Sequence, residues 1–160
     1  MLILNTGGTF NKRYNPLKGE LEVPYDNDAL DSITSRFTYP LNLAGTVYKD
    51  SLEIDAEDRK MMADIILAST EKTFILVHGT DTMDKTAAFL AEVAPEKIII
   101  ITGAMVPFSI DPIEATANFA MALGFGEACE KEGVYICMQG SVAPHDKLVK
   151  NRSIGKFERV

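Results

Sequence analysis

Ile98, Ile99, Ile100 and Ile101 form a run of four isoleucines with no polar residue at alternate positions. A strand with one face in water alternates apolar and polar residues, whereas an uninterrupted apolar run indicates a strand that is buried on both faces. In parallel sheets, helices cover both faces and alternate with the strands along the chain. The run therefore predicts a central strand of an α/β protein.

Strand and helix patterns alternate through most of the chain. Short apolar segments, mostly rich in β-branched residues, predict strands, and apolar residues at helical spacing behind an acidic or proline start predict helices. The predicted strands are 2–5, 45–49, 74–78, 97–102 and 134–138, and the predicted helices are 28–37, 55–69, 84–93 and 112–129. We expect one domain over residues 1–160, an open and mostly parallel sheet with helices on both faces, in a flavodoxin-like or Rossmann-like three-layer arrangement.

Residues 11–24 and residues 139–160 do not follow this alternation. Asn-Pro and Lys-Gly pairs interrupt the first segment before a strand-like stretch, so we interpret it as a mobile flap. The second segment has glycine, proline, many charges and little apolar periodicity, which predicts a long loop with at most a short final element.

The composition is that of a soluble globular protein, with 46% hydrophobic and 24% charged residues. Its 16 basic and 23 acidic residues give a net charge of −7, which repels nucleic-acid phosphates despite a basic patch around 147–156. No apolar run is long enough for a membrane span, and no secretion signal precedes the first predicted strand. We therefore expect a cytoplasmic protein with neither nucleic acid nor a membrane as its partner.

The two cysteines, Cys129 and Cys137, have neither the spacing of metal ligands nor that of a disulfide framework. We interpret both as residues of the hydrophobic core, and we expect no metal and no cofactor.

Two stretches carry threonines and glycines directly after predicted strands: residues 6–9, with the sequence Thr-Gly-Gly-Thr, and residues 78–83, with the sequence His-Gly-Thr-Asp-Thr-Met. The carboxyl ends of parallel strands open onto a shared crevice, so both stretches are expected to meet around one small molecule. A threonine hydroxyl is a poor nucleophile unless a neighbouring base or relay takes its proton. Thr80, Asp81 and Lys150 are residue types that can provide such a relay for Thr9. The pattern favours acyl transfer to a threonine followed by hydrolysis.

Each of these pieces also has an ordinary explanation. Gly-Gly pairs occur in many strand-to-helix connections and can bind phosphate, although the spacing of dinucleotide-binding and phosphate-binding loops is absent here. Thr80 or Asp81 could cap the following helix, His78 could have a packing role, and Lys150 could be a solvated loop lysine. The combination of the pieces carries the prediction.

The two motifs resemble, in the same order, the two signatures of the bacterial-type L-asparaginase/glutaminase family, the threonine amidohydrolases. Two further stretches support the resemblance. They are Asp50-Ser51 after the second predicted strand, and residues 102–105 with Pro107 after the fourth.

The resemblance implies roles for individual residues. Thr9 would be the nucleophile, Thr80, Asp81 and Lys150 the proton relay, and Tyr14 in the flap would close over the site and orient Thr9. Lys147 is close enough in sequence to rival Lys150. Asp50, Ser51 and Asp81 would bind the amino-acid head group, and the Ala104 carbonyl would accept a hydrogen bond from the amide to be cleaved. The substrate-binding set implied by the resemblance is Gly8, Asp50, Ser51, Gly79 and Ala104.

The resemblance covers only the amino-terminal domain of the family. Familiar members have a carboxy-terminal domain, and a neighbouring subunit's copy of it completes the pocket; we expect this chain to lack that domain. We also expect a homo-oligomer, a dimer or higher, with contacts through the helices after the third and fourth strands.

We predict an amidohydrolase acting on L-asparagine, with L-glutamine left open because one methylene changes binding by only about 1–3 kcal/mol. The alternatives are a non-catalytic or weakly catalytic amino-acid-binding module, or a subunit of a larger amidotransferase. A nucleotide-binding protein is disfavoured by the loop spacing.

Overall fold

The computed structural model describes residues 1–160 as ten strands, five α-helices and one 3₁₀ turn. In chain order the elements are β1 (Leu2–Gly7), α1 (Gly8–Asn11), β2 (Arg13–Asn15), β3 (Glu20–Glu22), α2 (Asp28–Thr34), β4 (Asn42–Lys49), the 3₁₀ turn (Ser51–Glu53), α3 (Ala56–Ala68), β5 (Thr73–Val77), α4 (Met83–Val93), β6 (Ile98–Thr102), α5 (Pro112–Ala128), β7 (Gly133–Met138), β8 (Ser141–Pro144), β9 (Leu148–Asn151) and β10 (Lys156–Arg159). All five predicted strands and all four predicted helices are present, with shifts of up to three residues at their ends.

The central sheet has the strand order β4-β1-β5-β6-β7-β8. Its first five strands are parallel, and β8 pairs antiparallel with β7. Numbered along the chain, the parallel strands lie in the order 2-1-3-4-5, which is the flavodoxin-like arrangement. The predicted fold class is therefore confirmed. The switch point of this arrangement lies between β1 and β5, and ligands of such folds bind outside the carboxyl ends of these two strands.

Two hydrophobic cores cover the two faces of the sheet. Ile99 and Ile101 belong to one core, beneath α3 and α4, and Ile98 and Ile100 belong to the other, beneath α2 and α5. Successive side chains of a strand point to opposite faces, so a strand buried on both faces needs an apolar residue at every position. The isoleucine run in β6 meets this requirement, as predicted.

The crossover through α5 has the opposite hand to the others. The connections through α3, α4 and α5 all progress in one direction across the sheet, whereas the connection through α2 progresses the other way. Since α2 lies on the opposite face from α3 and α4, these three crossovers share one hand, and α5, on the face of α2, has the other. About 98% of such crossovers are right-handed, so the crossover through α5 is the left-handed one.

The prediction of a long loop over residues 139–160 is wrong. The segment contains β8, which extends the central sheet, and the antiparallel hairpin of β9 and β10. Short strands with few apolar residues have no clear period, because their pairing partners rather than their own side chains define them. Residues 11–24 contain a second hairpin, β2 with β3. None of the helices combines the length and apolar character that crossing a membrane requires.

Candidate active site

The two threonine-glycine motifs lie against each other at the carboxyl ends of β1 and β5. A Cβ atom built on Gly8 would lie 2.4 Å from both the Cα and the N of Gly79, so the two backbones can approach this closely only because residue 8 is a glycine. Gly8 also has a φ of +69°, which side-chain-bearing residues rarely adopt. Thr9 and Thr80 each follow directly after one of the touching glycines. The predicted convergence of the two motifs at one edge of the sheet is therefore present.

Lys150 connects the β9–β10 hairpin to the end of β5. Its Nζ donates to Thr80 Oγ1 at 2.8 Å and to Asp81 Oδ1 at 2.7 Å. Thr80 is 5% exposed and the Lys150 side chain 10%, so these polar groups are hydrogen-bonded to each other rather than to water. Lys147, the rival in sequence, instead pairs with Asp146 at 3.4 Å with both side chains well exposed. The geometry selects Lys150 as the lysine beside Thr80.

The turn after β4 packs against the turn after β5. Ser51 Oγ accepts a hydrogen bond from the backbone N–H of Asp81 at 3.2 Å, and Thr82 Oγ1 donates to the carbonyl of Ser51 at 2.7 Å. Ser51 is 2% exposed, and a Cβ on Gly79 would lie 2.5 Å from the Ser51 Cβ. The predicted substrate-binding residues Asp50 and Ser51 are thereby held next to Gly79 and Asp81.

A distorted end of β4 positions Asp50. Val47 and Tyr48 have φ values of +68° and +51°, and the pairing of β4 with β1 shifts register at this point. Left-handed backbone at a β-branched residue costs roughly 1–3 kcal/mol and persists only where the surroundings enforce it. Here the hydroxyl of Tyr48 donates to Asn27 Oδ1 at 3.1 Å, and Asn5 Nδ2 donates to the same oxygen at 3.0 Å.

Lys12 is a charged residue of the site that the sequence reasoning missed. Its ammonium group forms an ion pair with the Asp50 carboxylate, and Asp50 Oδ1 also accepts from the backbone N–H of Leu52 at 3.0 Å. Burial alone raises the pKa of Asp50, but the hydrogen bonds from Lys12 and Leu52 and the charges of Lys12 and Lys150 outweigh burial and lower that pKa below its usual value. A basic residue three positions after Thr9 was the available signal.

Glu114 and Asn118, one turn apart on α5, shape the loop that carries Ala104. Glu114 Oε2 accepts from the backbone N–H groups of Met105 and Val106 at 3.0 and 3.1 Å. Asn118 Nδ2 donates to the carbonyl of Gly103 at 2.9 Å. Ala104 itself is fully buried. No local pattern in the sequence indicates these roles, because the contacts join residues that only the packing of α5 brings together.

His78 is fully buried beneath the motif after β5, and burial lowers its pKa to about 4. The neutral ring then donates from Nδ1 to the carbonyl of Gly79 at 2.8 Å and accepts at Nε2 from Thr86 Oγ1 at 2.9 Å. Arg59 Nε in turn donates to Thr86 Oγ1 at 3.2 Å. His78 therefore supports the peptide of Gly79, in agreement with the packing role considered for it.

The remaining predicted residues lie on the open side of the site. Thr9, in α1, is half-buried, and Tyr14, in β2, is 63% exposed. A cleft of about 850 Å³ separates the β2–β3 hairpin from the turn after β4, and Lys12 and Asp50 lie on its wall.

No group of three His, Cys, Asp or Glu side chains has the arrangement of a metal site. Cys137 is buried in the core, which raises the pKa of its thiol to about 12, and Cys129, the residue after α5, is partly exposed and packs against the same core.

The fold and the site define an α/β protein with two threonines, a carboxylate and a lysine at the switch point of its sheet. The chain matches the family described as "Asparaginase, N-terminal" over residues 1–156. It therefore belongs to the asparaginase family, through the amino-terminal domain of that family.

Individual relatives agree with this assignment. The chain is 27% identical over 158 residues to a probable periplasmic L-asparaginase of Haemophilus influenzae, an alignment covering 88% of this chain and 43% of that protein. It is 29% identical over 144 residues to one of the subunits of glutamyl-tRNA(Gln) amidotransferase of Methanococcus maripaludis, covering 86% of this chain and 34% of that relative. The thermostable L-asparaginase of Thermococcus kodakarensis shares the fold, with a TM-score of 0.84 and 22% identity over 99% of this chain and 50% of that one. The chain thus spans half or less of the length of each of these proteins.

Proposed function

We propose that the protein is an amidohydrolase that converts L-asparagine to L-aspartate and ammonia through an acyl-threonine intermediate. The observations that support this proposal are the close approach of Gly8 to Gly79, the residues directly before Thr9 and Thr80, and the hydrogen bond from Lys150 to Thr80. A nucleophile beside a proton relay is the arrangement that covalent catalysis by a hydroxyl requires.

In the first half-reaction, the Thr9 hydroxyl oxygen forms a bond to the side-chain amide carbon of asparagine. Its proton passes to the Thr80–Lys150 relay and from there to the departing nitrogen, which leaves as ammonia when the C–N bond breaks. Asp81, at 2.7 Å from Lys150 Nζ, compensates the positive charge of the lysine while it holds the proton. The Ala104 carbonyl is proposed to accept a hydrogen bond from the amide nitrogen; because Ala104 is fully buried, its loop has to shift for the substrate to reach this carbonyl.

In the second half-reaction, water adds to the acyl-threonine ester, and the bond between Thr9 and the acyl carbon breaks. The products are L-aspartate and the regenerated hydroxyl, so the balance is one asparagine and one water to one aspartate and one ammonia. Backbone N–H groups beside the two glycines are the donors available for the oxyanion of both steps.

Ammonia release with L-asparagine in excess tests the proposal. Thr9→Ala and Thr80→Ala are each expected to reduce kcat by at least about 100-fold, because each removes a hydroxyl of the nucleophile–relay pair. Thr70→Ala is the matched control. Thr70 lies before β5, at the amino end of that strand and away from the site, so this variant should retain the parent activity. Full activity in both site variants would contradict the mechanism. The same assay with L-glutamine measures the preference between the two amides.

A second candidate function is that of a subunit of a larger amidotransferase. The similarity to the glutamyl-tRNA(Gln) amidotransferase relative supports this alternative. Activity that arises only after addition of another polypeptide would favour this alternative. Tight L-aspartate binding with no hydrolysis under any condition would favour an amino-acid-binding module instead.

A further inference from the structure

The β9–β10 hairpin carries Lys150, and the residue opposite Lys150 connects this hairpin to the hydrophobic core. Lys150 in β9 pairs with Phe157 in β10. Directly opposite residues of an antiparallel pair lie on the same face, so both side chains point towards the body of the protein. Phe157 packs against the core that contains Leu148, while Lys150 reaches Thr80. The position of Phe157 therefore affects where the Lys150 ammonium group lies.

The turn between β7 and β8 holds the backbone of Phe157. It consists of Gln139 and Gly140, whose φ values of +51° and +81° are those of a two-residue hairpin turn with both residues left-handed. Asparagine or aspartate is the usual residue before the glycine of such a turn. Glutamine is one methylene longer than asparagine, and Gln139 Oε1 accepts a hydrogen bond from the Phe157 N–H at 3.0 Å. The residue at this position thus joins the turn to the β9–β10 hairpin.

Asn118 on α5 fixes this turn from the inside of the protein. Its Oδ1 accepts from the Gln139 N–H at 2.9 Å, and its Nδ2 donates to the carbonyl of Gly103 at 2.9 Å. Asn118 is 2% exposed, and hydrogen bonds are stronger where water is excluded. One buried amide therefore ties the ends of β6 and β7 together. The Gln139 side chain extends from this fixed point to the hairpin.

We propose that Gln139 is a positioning residue, which holds Phe157 and thereby keeps the Lys150 ammonium group against Thr80. The bonds from Lys150 Nζ to Thr80 and Asp81 are 2.8 and 2.7 Å long, and such bonds weaken steeply as their angles depart from linearity. A small displacement of the hairpin therefore weakens both. The inference rests on the proposed function for the catalytic role of Lys150, but the position of Lys150 is tested without turnover.

Chemical labelling of the lysines in the full chain measures the position of Lys150. Limiting acetic anhydride followed by peptide mass spectrometry gives the acetylation rate of Lys150 relative to that of the exposed Lys147 in the same chain. The Lys150 side chain is 10% exposed and hydrogen-bonded, so its acetylation in the parent should be slow. Gln139→Met keeps the length of the side chain but removes the acceptor. It is expected to raise the relative rate at Lys150 by about 2- to 10-fold, the usual effect of losing one hydrogen bond.

Three further variants separate positioning from a merely structural role. Gln139→Glu keeps Oε1 as the acceptor and should label like the parent. Gln139→Asn suits the turn but is too short to reach Phe157, so it should raise the rate at Lys150 without lowering the thermal midpoint. Arg159→Met is the matched control. Arg159 also attaches the hairpin by one side-chain hydrogen bond, to the carbonyl of Val142 at 3.0 Å, but it lies opposite Leu148. This variant should label like the parent.

Ammonia release from L-asparagine tests the consequence for the proposed reaction. Gln139→Met is expected to lower kcat by about 2- to 10-fold, with KM within about 2-fold of the parent, because Lys150 takes part in proton transfer and not in substrate binding. Gln139→Glu and Arg159→Met should keep the parent kcat.

Unchanged labelling of Lys150 in Gln139→Met would overturn the inference, and so would an equal change in Gln139→Glu or Arg159→Met. An active chain in which Gln139→Met keeps the parent kcat would overturn it as well. These outcomes are separate from failure of the proposed function. A chain that labels as described but releases no ammonia keeps the positioning of Lys150 and loses the hydrolase. A chain that loses activity in Thr9→Ala but is unaffected by Gln139→Met does the reverse.

Discussion

The two sides of the candidate active site are held by different kinds of interaction. On the β5 side, Thr80 and Lys150 are nearly buried and directly hydrogen-bonded. On the hairpin side, Tyr14 is 63% exposed, and the hairpin is attached by ion pairs at the surface, such as that of Arg13 with Asp26. Buried hydrogen-bonded groups keep one geometry, whereas exposed ion pairs contribute roughly 0–1 kcal/mol each. The comparison indicates a rigid Thr80–Lys150 side that faces a more easily moved β2–β3 hairpin.

The largest effect is expected from Lys150→Met, which should lower kcat for ammonia release by about 10²- to 10⁴-fold, the range for loss of a proton-transfer group. Lys150→Arg sharpens the test, because arginine can keep the ion pair with Asp81 but does not give up its proton. Lys147→Met, at the exposed neighbour paired with Asp146, should be active. Parent-like activity of Lys150→Arg would show that the lysine acts only through its charge.

The close contact between the two threonine-glycine motifs can be tested by comparing alanine substitutions at Gly8 and at Gly19, an open position in the β2–β3 hairpin. Gly8 and Gly19 have nearly equal φ values of +69° and +72°, but a Cβ on Gly19 meets nothing within 4 Å. Gly19→Ala should therefore cost only the backbone strain, about 1–2 kcal/mol of unfolding free energy. Gly8→Ala should cost about 3 kcal/mol or more, because overpacking against Gly79 is added. Urea unfolding measures both, and equal losses would contradict the close contact.

The buried His78, on the β5 side of the site, makes the free energy of unfolding of the protein depend on pH. Its pKa of about 4 in the folded protein lies below the 6.5 of an unperturbed histidine, so the unfolded chain binds the proton first. The contribution of neutral His78 to the free energy of unfolding is fully present above about pH 6.5. It is lost as the pH falls towards 4, by up to about 3 kcal/mol. Unfolding curves at several pH values measure it. His78→Gln should flatten the pH dependence between 4 and 6.5, and an unchanged slope would assign it to other groups.

The smallest effect on stability is expected from Tyr14→Phe, on the hairpin side. An exposed side chain away from the core changes the unfolding free energy by less than about 0.5 kcal/mol. If the hydroxyl orients Thr9, kcat should nevertheless fall, by about 10-fold or more, with the thermal midpoint unchanged. Parent-like kcat would remove Tyr14 from the proposed catalytic set.

Much of the architecture follows from local patterns. The isoleucine run predicted a central strand because every position of a doubly covered strand must be apolar. The two threonine-glycine motifs were expected to meet because parallel strands end at one edge. In contrast, the sequence did not predict β9, because this short strand is defined by its pairing with β10 and not by a pattern of its own. The β9–β10 hairpin then places Lys150 against Thr80. Lys150 and Lys147 were indistinguishable by residue type alone.

The linear order of residues was enough to establish the α/β class, the family motifs and the meeting of the two threonine-glycine motifs, since all three depend on periodicity and on strand ends. Tertiary packing decided which lysine reaches Thr80, how Lys12 finds Asp50 across the cleft, and how Glu114 shapes the loop of Ala104. These contacts join segments far apart along the chain, so their geometry depends on how whole helices and hairpins are seated. No local pattern encodes that arrangement.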